Sequence, residues 1–171
     1  MANKKIPITR ISKFFGSEDF QLEQDIGMEW LHGDLHFNLV LFRVDQKLSD
    51  VDDVYGEAGK EEIRYKQPVE FKAYVKIDQP KMDSYAGGLV KDLEPGNMTL
   101  GVYMKHLVEL DIDINYGDYI GYAETEDKIR YYVVTNDGRV TSDLAHTIGG
   151  YKPFFRTILC SYVSPNEFKG I

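Results

Sequence analysis

One cysteine, one tryptophan, six prolines and no apolar run of membrane-spanning length stand out in these 171 residues. A lone thiol, Cys160, excludes an internal disulfide and any cysteine-rich zinc site. Set in the apolar run Thr157-Ile158-Leu159-Cys160, it reads as a buried, inert small hydrophobe. The opening Met1-Ala2-Asn3-Lys4-Lys5-Ile6-Pro7 carries charge, but the apolar stretch of a signal peptide does not follow. A soluble protein of a reducing compartment, without a membrane partner, is therefore expected. Positive charge is also in deficit: 20 basic against 28 acidic residues give a net charge of −8. That balance disfavours gripping a phosphate backbone, but not a surface that DNA merely passes. Missing too are a G-x-S-x-G elbow, a phosphate-binding glycine loop and a metal-binding histidine pair on a helix. Gly87-Gly88 has neither lysine nor serine placed to hold a phosphate. No catalytic residue and no cofactor are expected.

Tyrosine and strand formers fill the space these absences leave. Aromatics make up 13% of the chain, with 12 Tyr, a residue suited to half-buried strand faces and interfaces because its ring is covered while its hydroxyl stays wet. Residues 1–17 are basic and read as an N-terminal arm; residues 18–171 read as one β-rich domain, without repeats or low-complexity tracts. Residues 18–30 allow a short amphipathic turn, weakened by Gly27. Leu35, Phe37, Leu39 and Leu41 alternate in a strand with apolar character on both faces. Val69, Phe71, Ala73, Val75 and Ile77 alternate with Glu70, Lys72, Tyr74 and Lys76 in the cleanest half-buried strand. A long loop at 78–97 ends in Glu94-Pro95-Gly96-Asn97, a type II turn signal. Strands are then predicted at 98–104, 106–114, 119–123, 129–135 and 154–163. Asn136-Asp137-Gly138-Arg139 reads as a hairpin turn into a return strand. Short strands at this spacing predict a mainly β fold, a small antiparallel barrel or sandwich with long loops.

Three groups imitate metal sites. His32 and His36 are four apart, but Gly33 disfavours a helix, and on a strand they are too distant to share an ion. Asp50, Asp52, Asp53 and Glu61 imitate a calcium loop, yet its sixth position is Tyr55 where glycine is required. Asp111, Asp113 and Asn115 open with calcium-loop spacing, but Tyr122 occupies the twelfth position and Ile112 and Ile114 give a strand alternation. Both acidic stretches read as solvated faces. His106 and His146 stand alone, as surface or hydrogen-bonded histidines.

The segment Asp53-Val54-Tyr55-Gly56-Glu57, followed by Pro68 and the 69–77 alternation, resembles the head-to-tail neck or head-closure proteins of tailed bacteriophages. Tyr116-Gly117-Asp118-Tyr119-Ile120 is similar to their Gly-Asp turn opening the next strand, and Ile129-Arg130-Tyr131-Tyr132-Val133-Val134 to the strand after it. The likeness runs from about Asp50 to Phe168. It implies a structural, non-enzymatic virion protein, made in the host cytoplasm, that forms a hexameric or dodecameric ring at the head–tail interface. The ring would continue the DNA channel between a portal-side connector and a tail-side terminator or tube protein, with DNA passing unread through its lumen. Asp53, Tyr55, Gly56 and Glu57 are then interface candidates, as are Tyr85, Gly87 and Gly88 in the long loop and Lys4, Lys5 and Arg10 in the arm. A tail-terminator or tail-completion ring, and a carbohydrate- or ligand-binding β module built on Trp30 and the tyrosines, are the alternatives.

Overall fold

A computed structural model describes residues 16–33, 37–45, 49, 63–79, 96–126, 128–139, 154–164 and 167–168. Six antiparallel strands close into a barrel: β1 (Phe37–Phe42), β2 (Val69–Ile77), β3 (Met98–Tyr103), β4 (Tyr119–Thr125), β5 (Lys128–Asn136) and β6 (Phe155–Val163). Around the barrel the order is β1-β2-β3-β6-β5-β4. The β1–β4 pairing, with Leu39 opposite Tyr122 and Leu41 opposite Ile120, removes the last free edge. Helices α1 (Ser17–His32) and α2 (Met104–Glu109) complete the described elements.

The period-2 pattern decides what goes inside. Leu39 and Leu41 of β1, Phe71 and Ala73 of β2, Met98, Leu100 and Val102 of β3, Ile120 of β4, Tyr132 and Val134 of β5, and Ile158 and Cys160 of β6 are all buried in one core. Cys160 is buried as expected, and burial pushes its thiol up to about 12. Strand β1 has the expected two apolar faces. Its outward Phe42 joins Val163 and Phe168 in a second cluster, flanked by Tyr65, Tyr119 and Tyr131. Phe168 lies flat on Tyr131, with ring centroids 4.1 Å apart and planes 26° apart. The C-terminal aromatic thus seals the outer face of β1, β4 and β5.

Two expectations are corrected. Residues 17–32 form a full helix, not a short turn. Gly27 is accommodated because it is the point of closest approach to Tyr103. The strand expected at 106–114 does not form: α2 occupies 104–109, and Asp111 adopts φ 52°, which ends it. Ile112 and Ile114 still alternate inwards, buried in the core without a strand partner. The return strand expected after Arg139 lies outside the described residues; β5 itself pairs with β4 and with β6, Val134 standing opposite Cys160. The turn chemistry itself is present. Gly138 takes φ 68°, its N–H donates to Asn136 Oδ1 at 2.9 Å, and the Arg139 N–H donates to Asp137 Oδ1 at 3.1 Å.

Candidate interaction surface

Helix α1 begins at Gly16, whose N–H donates to Asp19 Oδ2 at 2.8 Å, and Glu18 and Asp19 place negative charge against the positive end of the helix dipole. It ends where the Gly33 N–H reaches back to the Glu29 and Trp30 carbonyls at 2.9 and 3.2 Å. Phe20, Gly27, Met28 and Leu31 form its buried face. That face lies over outward residues of β3, where Tyr103 packs edge-on against Tyr74 and Phe155 with centroids 6.0 and 5.3 Å away. A β-carbon at Gly27 would stand 2.5 Å from the Tyr103 ring, so the absence of a side chain there sets how closely the helix seats. Lys105 of α2 holds Asp25 of α1 at 2.5 Å.

A second apolar stripe faces the other way. Leu22, Ile26 and Trp30 repeat every four residues along one line of α1 and remain 61%, 40% and 61% exposed. Together they present apolar surface on the order of 350 Å², within the range of the largest patches on soluble monomers, which are often functional. Exposed Glu18, Asp19, Glu23 and Glu29 border the stripe, and α1 carries neither lysine nor arginine. An apolar line with an acidic rim is the form of an unpartnered contact face.

His106 anchors the other side of this corner. Strand β2 pairs with β3 as far as Tyr74 opposite Gly101; continuing the register would set Lys72 opposite Tyr103. There β3 turns into α2, and the Lys72 N–H donates instead to His106 Nε2 at 3.0 Å. The imidazole thus replaces a strand carbonyl. Burial, the charge on His32 and that on Lys72 hold its pKa below the usual histidine range, against the opposing pull of Glu109. His32, His106 and Glu109 bring ligand atoms within 4.8 Å of one another, a donor set that suits zinc. Their chemistry does not fit a cation. The Nε2 lone pair already accepts the Lys72 amide, which places the ring proton on Nδ1, and a cation at either nitrogen would break that bond. His32 meets His106 edge-on, centroids 5.6 Å apart, a partner sequence spacing did not suggest. His36 lies outside the described residues.

Asp111, Asp113 and Asn115 are not a calcium loop either. Asp113 accepts from Arg139 Nη2 and, at 2.9 Å, from Arg156 Nη1, while Asn115 Oδ1 accepts from Arg139 Nη2 at 2.7 Å. Buried Arg156 also donates to the Ile114 carbonyl. Guanidinium groups therefore hold the Asp113 and Asn115 oxygens that a cation would need. The Gly-Asp turn is built as its sequence suggests: Gly117 takes φ 86°, and the buried Asp118 carboxylate accepts the Asn115 N–H at 2.8 Å and the Val44 N–H at 3.1 Å. It joins the end of β1 to the start of β4.

Comparison with known proteins finds no matching family model, no matching curated protein and no matching solved structure. The interface candidates chosen from sequence, Asp53, Tyr55, Gly56, Glu57, Lys4, Lys5, Arg10, Tyr85, Gly87 and Gly88, lie outside the described residues. So do Asp50, Asp52 and Glu61. The ends of the long loop are described: the Asp78 N–H donates to the Asn97 carbonyl at 2.9 Å, clasping its base. The Leu22–Ile26–Trp30 stripe was missed because it shares α1 with the buried face, and two apolar faces blur a single amphipathic period. Trp30 followed by its i−4 and i−8 neighbours was the signal that could have found it.

Proposed function

We propose that this chain is a structural ring subunit of a tailed-phage neck, closing or joining head to tail and continuing the DNA channel. The observation that carries the reading is the exposed Leu22–Ile26–Trp30 line on a helix that is already packed against a closed barrel. A closed barrel has no free strand edge to share, so repeated association must use its outer surface, and α1 presents that surface with a sole tryptophan at its end. The Gly117-Asp118 turn opening β4 supports the resemblance in the part of it that is described. Partners on this reading are copies of the chain itself in a hexamer or dodecamer, a portal-side connector, and a tail-side terminator or tube protein. Net charge −8 would let DNA slide through the lumen without adhering. A tail-terminator or tail-completion ring fits the same surface one layer further down.

Native mass spectrometry and negative-stain electron microscopy of the purified protein test the reading, with antibody labelling of virions. Closed rings and label at the head–tail junction are expected. A strict monomer absent from particles would sink it. Trp30 at 61% exposure favours one reading of another class, a carbohydrate-binding module with the indole as platform. That reading requires saturable glycan binding by an isolated monomer, and a glycan array without hits removes it.

A further inference from the structure

We infer that the acidic-rimmed stripe Leu22–Ile26–Trp30 is the docking site for the basic N-terminal segment, residues 4–15, of a second copy of the chain. The inference rests on the ring reading and names the contact that would join neighbouring subunits.

Charge is segregated at this end of the chain. Residues 1–17 contain Lys4, Lys5, Arg10 and Lys13 and no acidic residue; α1 contains Glu18, Asp19, Glu23, Asp25 and Glu29 and no lysine or arginine. Asp25 is held by Lys105, and Asp19 caps the helix start, so Glu18, Glu23 and Glu29 remain on the rim as exposed acids facing solvent. The basic segment interleaves its charges with Ile6, Ile8, Ile11, Phe14 and Phe15, giving an apolar line with a basic border to meet an apolar line with an acidic border.

Size and spacing select a segment as the occupant. The stripe, on the order of 350 Å², falls well short of the roughly 800 Å² each partner contributes to a stable interface between globular faces. An extended peptide seats on a narrower strip than a globular face does, anchored by a few side chains. Alternate residues of an extended chain repeat every ~6.6 Å, and positions four apart on a helix repeat every ~6 Å. Ile6 and Ile8 therefore match the spacing of Leu22 and Ile26, with Lys4, Lys5 and Arg10 within reach of the glutamates. On the ring reading the occupant comes from a neighbouring copy, a geometry that mixing variants separates from docking within one chain.

Trp30, the sole tryptophan, is a reporter inside the proposed site. Full-length protein is diluted through its assembly range while indole emission and native mass are followed. Wild type is expected to show blue-shifted emission when concentrated and a red shift as it dissociates. Ile6→Asp/Ile8→Asp in the segment and Leu22→Asp in the stripe should each abolish the blue shift and move assembly to about tenfold higher concentration or more. Glu23→Lys/Glu29→Lys should do the same while leaving the apolar line intact, and far-UV circular dichroism confirms that each variant is folded. Mixing the segment variant with the stripe variant decides the geometry. A contact between copies can form from one intact segment and one intact stripe, so part of the blue shift should return. An emission shift independent of concentration and not rescued by mixing overturns the proposal in favour of docking within one chain. Rings that form normally in all three variants overturn it while leaving the ring reading standing. A monomer at every concentration overturns both.

Discussion

Replacing Gly27 by alanine puts two effects of opposite sign in one residue. In an isolated helix the change is favourable by about 1 kcal/mol, because glycine loses more backbone entropy on ordering than alanine. Here the new β-carbon would stand 2.5 Å from Tyr103 Cε1, 2.6 Å from Cζ and 2.8 Å from the hydroxyl. Carbon contacts settle near 3.5–4.0 Å, so the ring must retreat by about 1 Å. It is hemmed in by Tyr74, Phe154 and Phe155, with centroids 6.0, 6.1 and 5.3 Å away. Overpacking of this kind costs about 1–3 kcal/mol. Sterics should win, leaving Gly27→Ala destabilised by about 1 kcal/mol, with Tm lowered by roughly 2–4 °C for a domain of this size. With Tyr103→Leu in the background the obstruction is gone, and the same substitution should stabilise by nearly 1 kcal/mol. The double-mutant cycle would then show a coupling near 2 kcal/mol, read from urea melts by circular dichroism with Trp30 fluorescence reporting α1 separately. If Gly27→Ala stabilises equally with and without Tyr103, α1 is not seated on that ring and the account of the corner is wrong.

Acid should loosen the same corner. The folded-state pKa of His106 lies below the ordinary 6.5, so between the two values the unfolded chain binds the extra proton. Stability is then complete above about pH 6.5 and falls as pH drops towards the folded pKa; His32, Glu109 and Lys72 are the charged neighbours that set the window. His106→Gln keeps an acceptor for the Lys72 N–H but does not titrate, and should flatten that part of a stability–pH curve; an unchanged slope refutes the assignment. Arg156→Ala removes a buried guanidinium from the Ile114 carbonyl and Asp113, and should cost about 2–3 kcal/mol, a loss of less than 1 kcal/mol by urea titration contradicting its role. Cys160, its thiol pushed up to about 12 by burial, should resist a thiol-specific chromogenic reagent in native protein at pH 8 and react with one equivalent in denaturant. Rapid native labelling would show that it is not enclosed.

Strands were legible wherever one face is buried and the other solvated. Val69–Ile77 needs no tertiary information, since five apolar residues two apart can only share a face. Strands β3, β5 and β6 follow for the same reason, and Gly117 and Gly138 mark the turns before β4 and after β5 through positive φ. The helices were illegible for two different reasons. Helix α1 is apolar on opposite sides, one for the barrel and one for solvent, so its period is doubled. Helix α2 has six residues, too few to show a period, and it runs into Ile112 and Ile114, whose alternation is that of a strand.

The sequence by itself determined a mainly β chain with one buried thiol, acidic overall and with a basic N-terminal end. Closure of the barrel was decided by tertiary structure, because a period of two is satisfied equally by a sandwich. So was the corner where His106 replaces a strand carbonyl, since the bond joins Lys72 to a residue on an element no local pattern reveals. The exposed stripe on α1 belongs to both: its residues can be read from spacing, but only packing of the opposite face shows that Leu22, Ile26 and Trp30 are left in water.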